Sequence, residues 1–146
     1  MKIQERQQVR GSFMIRIYTN GVLTEEYRDD NLIVDMAKVA LTRLVAGEVT
    51  GRSVNRIAVG TRSATPIASD VAITSPFVKN VDSHSYPATG QVTFHWSLAS
   101  TEANGKAISE FGLLCADGAL FARKTRTEPI NKASDITIDG QWTLIF

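Results

Sequence analysis

Asn20-Gly21 sits between two runs rich in β-branched and aromatic residues, SFMIRIY from Ser12 to Tyr18 and VLTEEY from Val22 to Tyr27. A type I′ turn needs φ > 0 at both central positions, which Asn and Gly tolerate and most residues do not. The dipeptide therefore predicts an antiparallel hairpin. A plain two-residue loop sets Tyr18 opposite Leu23 and Arg16 opposite Glu25, a favourable cross-strand pair. Ile15 and Ile17 then share the face that turns toward a core.

The period changes after this hairpin. Ile33, Ala37, Ala40, Leu41, Leu44 and Val45 recur at helical spacing, so the sequence predicts one helix over about 31–46, its apolar stripe packed on a sheet. Asp29, Asp30 and Asn31 supply N-cap chemistry, and Gly47 a left-handed stop. Arg56–Gly60 reads as a short strand. Residues 61–90 carry Pro66, Pro76 and Pro87 among Thr, Ser, Asp and Gly. That composition predicts a long surface excursion with one short strand near Ala72–Val81. Val92, Phe94, Trp96 and Leu98 alternate with Thr93, His95 and Ser97, the pattern of a half-buried strand.

The stretch Asn104–Phe146 is the densest in strand signals. Ile108–Cys115 and Ala119–Arg123 flank Asp117-Gly118, a second type I′ hairpin signal. Its register sets Leu114 opposite Phe121 and Gly112 opposite Arg123, with Glu110 diagonal to Arg123 on one face. Ile136–Ile138 and Gln141–Phe146 read as a closing pair of strands around Asp139-Gly140, leaving Phe146 at a sheet edge open to another chain. The fold class expected is mainly β with one helix, antiparallel and β-sandwich-like. It forms one domain over 1–146, with residues 1–11 as an extended N-terminal arm. A chain of 146 residues, 43% hydrophobic and 21% charged, can bury such a core without staples.

Little in the sequence offers chemistry. His84 and His95 lie in different settings with only Asp82 near in sequence, short of a zinc ligand set. Cys115, the single cysteine, continues the apolar alternation of Phe111 and Leu113 and reads as a buried thiol, which fits synthesis in a reducing cytoplasm. Ala58–Arg62 lacks the Gly-Lys-Ser/Thr ending of a phosphate loop. Glu25 and Glu26, neighbours in a strand, point to opposite faces and cannot converge on one bond. Arg123–Arg126 is a short basic run with Glu128 close by, a solvated edge rather than a nucleic-acid groove. Glu110 stands among apolar neighbours, and a buried carboxylate needs a partner. Arg123 is the partner its hairpin supplies, in a structural pair. No cofactor, no metal and no catalytic residue are expected.

From residue 54 onward the features come in a recognisable order. The strand Val54–Thr61 precedes a polar excursion and then the strand Val92–Leu98. Glu102-Ala103-Asn104-Gly105, Ile108–Leu114, Asp117-Gly118 and Leu120–Arg123 follow. Pro129–Lys132 leads to the tryptophan strand Trp142–Phe146. This order resembles small virion structural proteins of tailed bacteriophages and prophages, and more loosely the collar or attachment domain of phage tail-fibre proteins. The resemblance implies a non-enzymatic virion component, made in the bacterial host cytoplasm. It would be homo-oligomeric in the particle and docked on other virion proteins. Tail-fibre proteins continue into a shaft; here a tail-tip, baseplate or fibre-attachment role is expected instead.

A neck or capsid decoration protein is the alternative. A sugar-binding module for host glycans, with Trp96, Trp142, Tyr27 and Tyr86 as a stacking platform, is a third reading. With a net charge of +1 and no apolar run near 18 residues, neither direct nucleic-acid contact nor a membrane is expected. The candidate contact residues are Arg62, Pro66, Pro76, Phe77, Tyr86 and Phe146.

Overall fold

The computed structural model describes residues 9–146. The strands are β1 (Arg10–Thr19), β2 (Val22–Ile33), β3 (Val54–Gly60), β4 (Phe77–Asn80), β5 (Ser83–Ser85), β6 (Gln91–Leu98), β7 (Ala107–Cys115), β8 (Leu120–Asn131) and β9 (Ile136–Ile145), with one helix, α1 (Asp35–Val45). They form one antiparallel nine-stranded sheet in the order β4-β3-β7-β8-β2-β1-β9-β6-β5. Of the expected N-terminal arm, Arg10 and Gly11 belong to β1; residues 1–8 lie outside the described residues.

The sheet curls on itself because two stretches of chain change partners. β2 pairs with β1 from Val22 to Asn31 and then, at Leu32 and Ile33, with Arg123 and Ala122 of β8. On the opposite side, β4 pairs with β3 and β5 with β6, and only Val81 and Asp82 separate β4 from β5. Strands that switch sheets make the corners of such packings. The result is a sandwich-like pair of layers: β2, β1, β9, β6 and β5 over β8, β7, β3 and β4.

The core lies between the layers. Phe13 of β1 meets Phe111 of β7 at 4.8 Å between ring centroids, and Trp142 of β9 edge-on at 5.0 Å. Trp96 sits 5.9 Å from Phe111. Burying several aromatic side chains against one another supplies most of the driving force for bringing the layers together.

The Asn20-Gly21 turn has φ of 51° and 78°, the type I′ requirement. Tyr18 lies opposite Leu23 as expected, but a bulge follows, so Ile17 faces Glu25 and Arg16 faces Glu26 rather than Glu25. The extra residue is Thr24, whose hydroxyl donates to the Ile17 carbonyl at 3.1 Å. The second hairpin is also corrected in detail. Gly112 faces Arg123, but Leu114 faces Leu120 instead of Phe121, across a register shift. Only Gly118 has positive φ (92°), Cys115 N–H donates to Ala119 O, and Gly118 N–H donates to Cys115 O. This is a type I turn closed by a left-handed glycine rather than a type I′ turn.

The helix begins at Asp35, with Val34 in the cap position and no side-chain cap bond. Asp29, Asp30 and Asn31 are therefore strand residues, because the β8 edge captures Leu32 and Ile33 before the chain can coil. Ala37 and Ala40 face the sheet while Val45 is 91% exposed, so the apolar stripe is narrower than the spacing predicts. Gly47 takes φ 90° and ends the helix as expected.

Asp139-Gly140 is not a turn: β9 runs straight through it. Trp96 lies opposite Gly140, and a Cβ there would meet the Trp96 indole at 2.0 Å. Gly140 is a flat seat for a ring, one of the two uses of glycine inside a strand. As a consequence β9 is central, paired with both β1 and β6, and Phe146 is not at a sheet edge.

Candidate assembly surface

Glu110 and Arg123 are both fully buried, with Arg123 Nε donating to Glu110 Oε2 at 2.8 Å. The pair is the centre of a larger network. Glu110 Oε1 accepts from the backbone N–H of Thr74 at 2.6 Å and of Arg62 at 3.2 Å. Arg123 Nη1 donates to Asp70 Oδ2 and to the Ala64 carbonyl, each at 3.0 Å, and Nη2 reaches the Arg62 carbonyl at 3.4 Å. Asp70 Oδ2 also accepts from Ile67 N–H.

Five backbone groups of the Thr61–Thr74 segment are thus held by these three side chains, and Ile73 packs onto Gly60 and Gly112, where a Cβ would not fit. A buried charge is tolerable only when paired and hydrogen-bonded in this way. Both carboxylates and the guanidinium are engaged in holding the excursion to β7 and β8. The network is structural.

The excursion itself is more ordered than its composition suggests. Residues 61–76 cover one layer; β4 and β5 then form the last strand at each end of the sheet. The contact residues picked from sequence separate accordingly. Arg62 places its backbone in the network and its guanidinium 3.9 Å from Asp70. Pro66 is half-buried and Pro76 exposed, while Phe77 packs against the core from β4. Tyr86 and Phe146, 74% and 55% exposed, do converge. They flank a shallow, mostly apolar hollow of about 380 Å³ with Ala88, Gly90 and Val92, and Phe146 N–H donates to Gly90 O.

Trp96 and Trp142 are buried in the core, so the stacking platform with Tyr27 and Tyr86 does not form. Tyr27 is half-buried, with Arg126 and Lys124 over its ring at 5.1 and 5.7 Å. His84 stands edge-on to Tyr86, and His95 Nε2 is 3.1 Å from Ser85 Oγ. Among the described residues, no three His, Cys, Asp or Glu side chains gather as a metal site would require, and no helix is long and apolar enough to cross a membrane. Burial, with Asp117 nearby, pushes the Cys115 thiol up to about 11.

Sequence reasoning missed three anchors. Asp70 is the second acid of the buried network. Asn31 Oδ1 accepts from Trp142 Nε1 at 2.7 Å. Lys132, nearly fully buried, donates to Asn104 Oδ1 at 2.8 Å and to Ala133 O at 3.1 Å, and burial lowers its pKa below the ordinary lysine value. Each joins segments far apart in sequence, so no local pattern announces it.

Comparison of the chain with protein-family models, with curated proteins and with solved structures gives no match.

Proposed function

We propose that this protein is a non-enzymatic structural component of a tailed-bacteriophage particle. It would form homo-oligomers and dock neighbouring virion proteins at the tail tip, the baseplate or the fibre attachment. The observation that carries the contact role is the apolar end of the molecule. Tyr86 and Phe146 project beside a shallow apolar hollow on a frame whose buried acids and bases are committed to holding the chain together. Exposed aromatic rings around an apolar depression are the usual anchors of a protein–protein contact. The ordered features from Val54 to Phe146, which resemble phage structural proteins, support the virion reading.

The test is to find the protein in purified particles and to locate it. Mass spectrometry of particles banded by density should detect it at fixed stoichiometry, and gold labelling through an added tag should mark the tail. Labelling at the neck or capsid would favour the decoration role instead. Its absence from purified particles would remove the virion reading altogether.

A further inference from the structure

We infer that the outer edge of β2 pairs with β2 of a second copy of this chain, antiparallel and centred on Tyr27. Among the described residues, no strand pairs with β2 on the side away from β1 between Val22 and Asn31. It is the longest open edge of the fold, and the other edges are guarded. β4 and β5 are four and three residues long, and β8 carries Pro129, which has no N–H to offer, beside a break in its register with β7. Shortness and proline are the ordinary protections of a strand edge. Between Val22 and Asn31, β2 has neither.

β8 lies on this side but pairs with the β2 backbone only at Leu32 and Ile33; farther along it meets β2 through side chains. Glu25, Tyr27 and Asp29 lie opposite Ile17, Ile15 and Phe13, so they share the inner face. From there they reach down to β8: Glu25 to Arg126 at 3.0 Å and Asp29 to Lys124 at 2.7 Å. Glu26, Arg28 and Asp30 take the outer face and are exposed.

Charge then selects the partner and the register. Two identical strands pair antiparallel about a two-fold axis perpendicular to the sheet, so opposed residues share a face and the axis falls on a residue. Centred on Tyr27, the pairing sets Glu26 opposite Arg28 of the second copy and Arg28 opposite its Glu26. Tyr27 meets Tyr27 on the inner face. Glu25 then faces Asp29, but Arg126 and Lys124 already hold these two. Moving the axis one residue either way puts Glu26 against Glu26 or Arg28 against Arg28. Opposite charges directly across a sheet stabilise and like charges destabilise. An axis on Asp29 would also set Arg28 opposite Asp30, but over residues 27–31 alone instead of 23–31 of the open edge; charge and length of pairing together favour the register centred on Tyr27.

The inference deepens the assembly reading by naming the surface through which copies meet, and it can fail separately from it. The experiment is sedimentation equilibrium of the purified chain. The wild type should be a concentration-dependent dimer. Arg28→Glu and Glu26→Arg should each weaken it roughly tenfold or more, because two attractive pairs become repulsive. The double variant Glu26→Arg/Arg28→Glu should restore it. Both side chains are exposed, so thermal melts should show all variants folded.

A monomeric wild type, single reversals that leave the dimer intact, or a double variant that stays monomeric would each overturn the pairing. A monomer whose β2 amides gain protection only when another virion protein is added would assign the edge to that protein and overturn it too. A monomer found in purified particles would leave the virion reading standing; a dimer absent from them would do the reverse.

Discussion

The β1–β2 and β7–β8 hairpins are built from the same parts and put them to opposite uses. Each has a turn glycine, a bulge within a few residues of the turn, and an arginine–glutamate pair on one face. In β7–β8 the pair is sealed. Glu110 and Arg123 are out of contact with water, and Asp70 and the Thr61–Thr74 backbone complete every bond. In β1–β2, Glu26 stands in water with Arg16 at 3.4 Å and Arg28 at 2.8 Å. A charge pair is worth what its surroundings make of it. Sealed, it cannot be half-removed without leaving an orphan; exposed, it contributes little to the fold and stays free for a neighbour.

Breaking the sealed hairpin should have the largest effect. Arg123→Met leaves Glu110 as a buried acid without a cation, and Asp70 with only Arg62 at 3.9 Å, and should cost about 3–5 kcal/mol, read as a lowered urea midpoint. The Thr61–Thr74 segment should then become protease-sensitive while the β1–β2 turn does not. Asn31→Ala tests where the open hairpin is fastened: it strips the Trp142 indole N–H of its acceptor and should cost about 1–3 kcal/mol.

Acid should loosen the surface pairs. Asp29 is held below its ordinary value of 3.8, first by the Lys124 hydrogen bond and then by the Asp30 N–H. Glu102 is held below 4.5, first by Lys79 and then by the Ala99 N–H. A depressed carboxyl pKa stabilises the fold above the unfolded value, and that contribution drains away as pH falls through the folded one. Thermal melts should therefore show Lys124→Ala slightly less stable than the wild type at neutral pH, with the two curves converging below about pH 4, where Asp29 is protonated in both. The smallest effect belongs to Arg16→Ala, which should leave the monomer's stability within about 0.5 kcal/mol by urea melt. A larger loss would mean that the open hairpin also relies on its charges to fold.

These two hairpins also mark how far the sequence could be read. Their existence was legible from Asn20-Gly21 and Asp117-Gly118, as was the Glu110–Arg123 pair, because turn chemistry and strand alternation are local. The mainly β, sandwich-like class with one helix followed from the same signals. The bulges at Thr24 and near Leu113 were not legible, since a register shift depends on which side chain finds a backbone acceptor.

Asp139-Gly140 misled for a related reason. Turn and seat need the same glycine, and only the Trp96 ring across the sheet decides between them. The helix start was misplaced because pairing with β8 outweighs the capping chemistry of Asp29, Asp30 and Asn31. Of the contact residues, Tyr86 and Phe146 came together and Phe77 packs against the core, while Arg62 lends its backbone to the frame and keeps its side chain exposed. Asp70, separated from Arg123 by a long stretch of chain, could be found only once the excursion was seen lying across β3 and β7.

The contrast between a sealed and an open hairpin can be measured amide by amide. Hydrogen exchange of the purified chain at rising concentration should find the β7 and β8 amides around Glu110 and Arg123 equally protected throughout. The amides of Val22–Asn31 that face away from β1 should exchange fast when dilute and slow as copies meet. Exchange along that edge that is independent of concentration, whether fast or slow, would contradict the account.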